Sequence, residues 1–319
     1  MKTLISLILS VAVLAALYAL IDTSALLAAL KGTALGPLLL SLVLLVALIG
    51  VSALRLRILA SAAGLDVALS KATSATLAAN ALNIFLPAKM GDIAKATMLR
   101  DANNSALPSL NISIYEKATD VFAVFAWGTL ALIALNQARH GVSTLIVFAI
   151  TIGLGILLFS AAPVRGGVGM ARKVGVPPAA LERFFHQWTA MIERLWRQPR
   201  TMMLVLALSI AIWAGHFLQI GLMTWALGVN GPWLALGAAL PLIILAGFVP
   251  FTFAGIGTRD AAIVLLAGPL IGVEKAAALG VLFWLRYLVP GLMGLPLMPH
   301  YLRSLSAGRS EKDLPAKKA

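Results

Sequence analysis

Residues 80–120 read NALNIFLPAKMGDIAKATMLRDANNSALPSLNISIYEKATD, and the reading of this stretch decides the fold. It sits in a chain that is 61% hydrophobic, yet it carries Lys89, Asp92, Lys95, Arg100 and Asp101, then Glu116, Lys117 and Asp120. Pro87 and Gly91 interrupt the helical pattern inside it. Proline cannot donate a backbone hydrogen bond and clashes with the preceding turn. Glycine allows the backbone geometry of a tight reversal. In a bilayer, broken backbone and ionisable side chains are costly, so they line something other than lipid. The stretch therefore reads as half of a polar pathway through a membrane.

Composition agrees. Only 12% of residues are charged, against about 25% in a soluble domain. The net charge of +13 reads as the Lys/Arg excess of cytoplasmic loops, not as a nucleic-acid surface. There are no cysteines, which excludes disulfides, thiolate metal sites and cysteine nucleophiles. No GxxxxGK[ST] or HExxH motif occurs, and no cofactor or metal is expected.

Apolar runs long enough to span, at about 20 residues each, fall at about 4–20, 36–54, 109–136, 142–160, 201–227 and 277–299. The first is read as an uncleaved helix, and the second as ending at Arg55 and Arg57. Residues 68–83 and 91–100 are helical but too short or too polar to span. They read as a re-entrant pair broken at Pro87–Gly91, the alternative being a helix lying on the membrane surface. As a re-entrant pair, the second half-helix would offer free N–H groups beside Lys89 and Lys95, an anion site. Glu116 and Asp120 share a helical face, and Lys117 is placed to pair with Asp120. They form either a proton or cation site or a salt-bridged cluster that pins the hairpin through Lys89, Lys95 or Arg100. Between 178 and 195, Leu181, Phe184, Phe185, Trp188, Met191, Ile192 and Leu195 recur at helical spacing among basic residues. This predicts an amphipathic helix in the inner interface. His216 reads as an interhelical hydrogen bonder.

The grammar then repeats. A short apolar helix breaks at FVPFTFAGIG, carrying Pro250, Gly255 and Gly257, and resumes at Thr258-Arg259-Asp260. Thr252 or Thr258 would cap the resumed helix. Arg286 sits within the last span. Counting Lys and Arg places nineteen of 25 on the cytoplasmic side and three outside, with Lys117, Arg259 and Arg286 at membrane depth. Each half has three spans, an odd number, so the second half is inverted relative to the first. The fold class expected is an all-α polytopic membrane protein of about six full spans plus two broken re-entrant helix pairs, arranged as an inverted repeat. Its half-repeats run about 1–137 and 142–300, with a basic loop at 163–200 and a polar cytoplasmic tail at 301–319. Such repeats bring opposed half-helices together near the midplane, so Lys89, Asp92 and Lys95 should face Arg259 and Asp260.

The pattern Asn83-x-x-x-Pro87-x-x-x-Gly91-Asp92-x-x-Lys95, then Glu116-x-x-x-Asp120, then Pro250…Gly255-x-Gly257-x-Arg259-Asp260 resembles the lysylphosphatidylglycerol synthase transmembrane family. This is the flippase-like domain found in the membrane part of bacterial multiple peptide resistance proteins. The likeness covers about residues 5–300. Where that family often has Glu then Arg after the first glycine, this chain has Asp92 and Lys95, which keeps the charges. Fused members add a soluble aminoacyltransferase domain, and a stand-alone membrane domain is expected here. The resemblance implies translocation, not aminoacylation, of a lipid; the chain is read as a non-enzymatic transporter of a polar-headed or phosphate-bearing lipid across a bacterial inner membrane, with both termini cytoplasmic by the Lys/Arg count. The membrane lipid is the expected substrate, and a second copy of the chain or a lipid-synthesis enzyme is the partner compatible with it. The alternatives are an intramembrane lipid-modifying enzyme and a scaffold for lipid-synthesis enzymes.

Overall fold

The computed structural model describes residues 2–86, 91–99, 106–135, 141–160, 178–247, 252, 255–299 and 301. Within them the chain is helical: α1 Lys2–Ala19, α2 Thr23–Lys31, α3 Leu35–Ala62, α4 Leu69–Phe85, α5 Gly91–Met98, α6 Ala106–Ala134 and α7 Gly141–Phe159. There follow α8 Pro178–Trp196, α9 Pro199–Ala226, α10 Trp233–Ala246, α11 Thr258–Ile271, α12 Val273–Phe283 and α13 Leu285–Gly294, closed by a 3-10 turn at Leu295–Leu297. Among the described residues, four helices are long and apolar enough to cross a membrane, or five if the α1–α2 pair, bent by 95°, is one span. The chain is a multi-pass membrane protein.

Several boundaries differ from the sequence reading. The second span does not stop at Arg55 but runs on to Ala62, so Arg55 lies inside the helix at 2% exposure. The true stop is Gly64, at φ 91°, with Leu65 N–H returning to Ala60 O at 2.9 Å. Only glycine adopts that left-handed turn without penalty. The last span is divided at Trp284 into α12 and α13. Helix α8 does have one apolar face, but that face is packed against the protein rather than laid on lipid. Leu181, Trp188, Met191, Ile192 and Leu195 are buried in a cluster with Leu59, Tyr115 and Leu206. Arg194 of α8 donates to Ala63 O at 2.8 Å, meeting a carbonyl that the end of α3 leaves open.

The broken pairs are built into the body. Helix α4 packs against α5, α3 and α13, and most of its alanines are fully buried. That excludes a helix lying on the membrane surface for residues 69–85. Helix α10 packs against α11 and α6. Helices α3 and α9 pair along their lengths at the centre. Small residues permit the closest approaches. A methyl group at Gly294 of α13 would strike the Leu77 carbonyl of α4, one at Gly291 would strike Ile84, and one at Gly128 of α6 would strike Pro241 of α10. Such small-residue seams hold helices together where the hydrophobic effect cannot. Gly294→Val is expected to lower stability by about 1–3 kcal/mol through overpacking. Gly50→Ala, with nothing within 4 Å, should raise it by about 0.5–1 kcal/mol. Thermal unfolding midpoints of the purified protein in detergent check both.

Among the described residues, two apolar cores lie toward opposite ends of α6 and α9. One gathers Leu56, Leu59, Tyr115, Trp188 and Met202. The other gathers Phe125, Ile220, Leu240, Ile263 and Phe283. Along α6, the residues between Tyr115 and Val124 carry the charges, and α3 and α9 present Arg55 and Ser209 at the same level.

Candidate functional site

The charged layer is one connected network. Arg55 Nη2 pairs with Glu116 Oε1 at 3.1 Å and its Nη1 with Asp120 Oδ1 at 2.6 Å. The same Nη1 donates to Ser209 Oγ of α9 at 2.8 Å. The far oxygen of Glu116 accepts from Lys95 Nζ of α5 at 2.9 Å. Lys117 pairs with Asp92 Oδ2 at 2.6 Å, and Lys95 lies 3.9 Å from Asp92 Oδ1. Asn83 Nδ2 of α4 donates to Asp92 Oδ1 at 3.2 Å, joining the two sides of the first break. Gly91 lets α5 start close to α4, since a Cβ there would lie 2.7 Å from Asn83 Oδ1 and would collide with the Ala79 carbonyl. Arg55, Lys95 and Glu116 are each at least nine-tenths buried. Charges this deep persist only when paired and hydrogen-bonded.

The second break is organised differently. Gly255 and Gly257 have φ of 76° and 89°, and Gly255 lies against the Gly247 backbone. The cap of α11 is Gly257, whose N–H donates to Asp260 Oδ2 at 3.0 Å. Thr252 and Thr258, the caps expected from sequence, bond to each other through their hydroxyls at 2.9 Å. Arg259 pairs with its neighbour Asp260 at 3.1 Å and stacks on Tyr287, 5.0 Å to the ring centroid, and on Phe283, 5.3 Å. Arg286 covers Phe283 at 4.5 Å. It is 8% exposed, and its Nε and Nη1 have no hydrogen-bond partner among the described residues.

A polar cavity of about 140 Å³ joins the two halves. Asn83, Asp92, Lys95, Glu116, Lys117 and Asp120 line it from the first half of the chain, and His216, Arg286 and Tyr287 from the second. A single water needs only about 10–15 Å³ of such space, so several waters or a phosphate-sized group fit. The expected direct meeting of Asp92 and Lys95 with Arg259 and Asp260 is not what the cavity shows. Tyr287 lies between, and Arg286 is the cation that reaches the chamber from the second half. Lys117 pairs with Asp92 across the fold rather than with Asp120 on its own helix, because Arg55 already holds Asp120. Lys95, expected to flank an anion site, is itself paired with Glu116. His216 Nδ1 lies 3.3 Å from Gln219 Oε1, and Gln219 Nε2 donates to Ser41 O of α3 at 3.1 Å. Pro87, Lys89 and Pro250 lie outside the described residues.

The chamber continues into apolar space. A second cavity of about 280 Å³ shares Lys117, Asp120, Trp213 and Ile244 with it. A third, of about 380 Å³, follows the same three helices through Trp127, Phe217, Trp233 and Leu240. Together they trace a groove between α6, α9 and α10.

Sequence reasoning missed Arg55 and Ser209. A charge after an apolar run resembles a membrane exit, which puts Arg55 at a span end in a reading of the sequence. The apolar pattern in fact continues past it through Ile58, Leu59 and Ala60 to the first stop signal, Gly64. Ser209, one hydroxyl in an apolar helix, carries no comparable signal.

Neither the curated proteins nor the solved structures contain a match to this chain. The family described as the lysylphosphatidylglycerol synthase TM region matches residues 3–294. A match over nearly the whole chain, with a polar chamber enclosed by broken helices, is decisive: this chain belongs to the lysylphosphatidylglycerol synthase transmembrane-region family.

Proposed function

We propose that the chain moves a lipid between the leaflets of a bacterial inner membrane and is not an enzyme. The observation that carries this reading is the buried, internally paired ionic layer that walls a polar chamber open to an apolar groove. A polar headgroup crossing a bilayer needs such a chamber, while its chains need continuous apolar contact. Membership of a lipid-handling membrane family supports the same reading.

The proposed architecture is six spans in two inverted halves, with both termini cytoplasmic. Reciprocal packing supports it. The first helix of each broken pair seats on the last helix of the other half, α4 on α13 and α10 on α6. Helix α5 packs on α6 as α11 packs on α12, and α7 meets α6 as α2 meets α12. Helices α3 and α9 pair with each other, as elements astride a pseudo-twofold axis would. A membrane-impermeant maleimide that reached Lys275→Cys only from the cytoplasmic side would sink the inverted arrangement.

The test of function is leaflet exchange in proteoliposomes. A fluorescent phospholipid on the inner leaflet is protected from dithionite unless it is translocated. Exchange at least tenfold faster than in protein-free vesicles is expected, and it should be lost in Asp120→Asn. A rate equal to that of protein-free vesicles with several lipid classes would refute the reading.

A further inference from the structure

Resting on the lipid-translocation reading, we infer that Arg286 makes the chamber a receptor for lipids bearing one uncompensated negative charge, and that it rejects headgroups carrying an ammonium. The inference starts from a charge count. The described residues lining the chamber include three carboxylates, on Asp92, Glu116 and Asp120, and four cations, on Arg55, Lys95, Lys117 and Arg286. Each carboxylate is already held by a cation: Asp92 by Lys117, Glu116 by Arg55 and Lys95, and Asp120 by Arg55. Arg286 is left over. Its neighbour Arg259 is matched by Asp260, while Arg286 lies over the face of Phe283 and has no carboxylate in salt-bridge range among the described residues.

A buried guanidinium without an anion is expensive, and cation–π contact offsets only about 0.5–2 kcal/mol of that cost. A fold that tolerates it gains when an anion enters the chamber. Guanidinium is suited to phosphate, which it can bind through two parallel N–H donors. Two of its donors, Nε and Nη1, are without a hydrogen-bond partner among the described residues. A headgroup ammonium would need a carboxylate, and all three are engaged. An aminoacylated or zwitterionic headgroup would therefore bring a cation into a chamber that already has one in surplus.

The anion is read as a lipid's because of the groove. From Lys117 to Ala131, α6 walls first the chamber and then the apolar cavities. Fourteen residues at 1.5 Å rise cover about 21 Å. Half of a hydrocarbon core of about 30 Å is about 15 Å. The groove can take a chain of one leaflet's depth while the phosphate stays at Arg286.

The test is a binding measurement, separate from transport. The full chain is placed in phosphatidylcholine vesicles and titrated with phosphatidylglycerol whose acyl chains are brominated. Quenching of tryptophan is compared with that by brominated phosphatidylcholine and brominated lysyl-phosphatidylglycerol. Half-maximal quenching by phosphatidylglycerol is expected at a mole fraction at least tenfold lower than by either of the others. Arg286→Gln should abolish the preference, and Arg286→Lys should retain part of it. Arg286→Gln should fold with an unfolding midpoint no lower than wild type, because it removes an unpaired buried charge. Millimolar glycerol phosphate should not compete. Competition by it would assign the site to a free phosphate ester and overturn the lipid claim. A preference that survives in Arg286→Gln, or equal binding of lysyl-phosphatidylglycerol, would overturn the inference. Leaflet exchange in the same vesicles separates the two readings. Arg286-dependent binding without exchange defeats translocation alone, while exchange indifferent to headgroup charge and to Arg286 defeats this inference alone.

Discussion

Arg55→Ala is expected to destabilise the protein by about 3–5 kcal/mol, the usual cost of removing one partner from a buried ion pair. Arg55 is 2% exposed and holds Glu116, Asp120 and Ser209 at once, from α6 and α9 onto α3. Without it, Glu116 keeps Lys95, but Asp120 loses the cation that pairs with it among the described residues. Most of the loss comes from that stranded carboxylate rather than from the missing attraction. The double variant Arg55→Ala, Asp120→Ala should therefore recover part of it, with a coupling of about 0.5–3 kcal/mol. Denaturant unfolding in mild detergent measures both. A loss below about 1 kcal/mol, as for an exposed pair, would show that water reaches the layer and that it is not the closed network described above.

That network was half legible in the sequence. The helices could be read because runs such as residues 36–54 and 201–227 have no other stable home than a bilayer or a core. The breaks at 87–91 and 250–257 could be read because proline and glycine act locally. Glu116 and Asp120 stood out as carboxylates in an apolar helix. Their partners could not be read. Spacing favours Lys117 with Asp120 at i, i+3, worth only about 0.2–0.5 kcal/mol. In the fold, Arg55 comes 65 residues in sequence to Asp120, and Lys117 crosses 25 to reach Asp92. A buried tertiary pair outweighs a local one, and nothing in the local pattern announces it. The same limit hid the role of Arg286. A charge in a span signals function, but whether it is matched depends on which helices arrive beside it.

The amphipathic helix α8 shows the limit from the other side, and Trp188→Ala puts it to a test. An apolar stripe flanked by arginines has one appearance whether it faces lipid or protein. In the fold Trp188 is 2% exposed, stacked at 6.3 Å on Phe184 and tilted at 6.1 Å against Tyr115 of α6. Truncation should cost about 3–5 kcal/mol, as for other buried aromatic side chains. Trp188→Phe should cost far less. It keeps a ring in the cluster and removes an indole N–H that has no partner among the described residues. Glu193→Ala, on the exposed face, should change stability by less than about 0.5 kcal/mol. A helix seated on headgroups would give another pattern, with Trp188→Ala leaving the unfolding transition where it was. The position matters for function because Tyr115, against which Trp188 packs, directly precedes Glu116. The α8 core therefore backs the turn of α6 that presents Glu116 to the chamber.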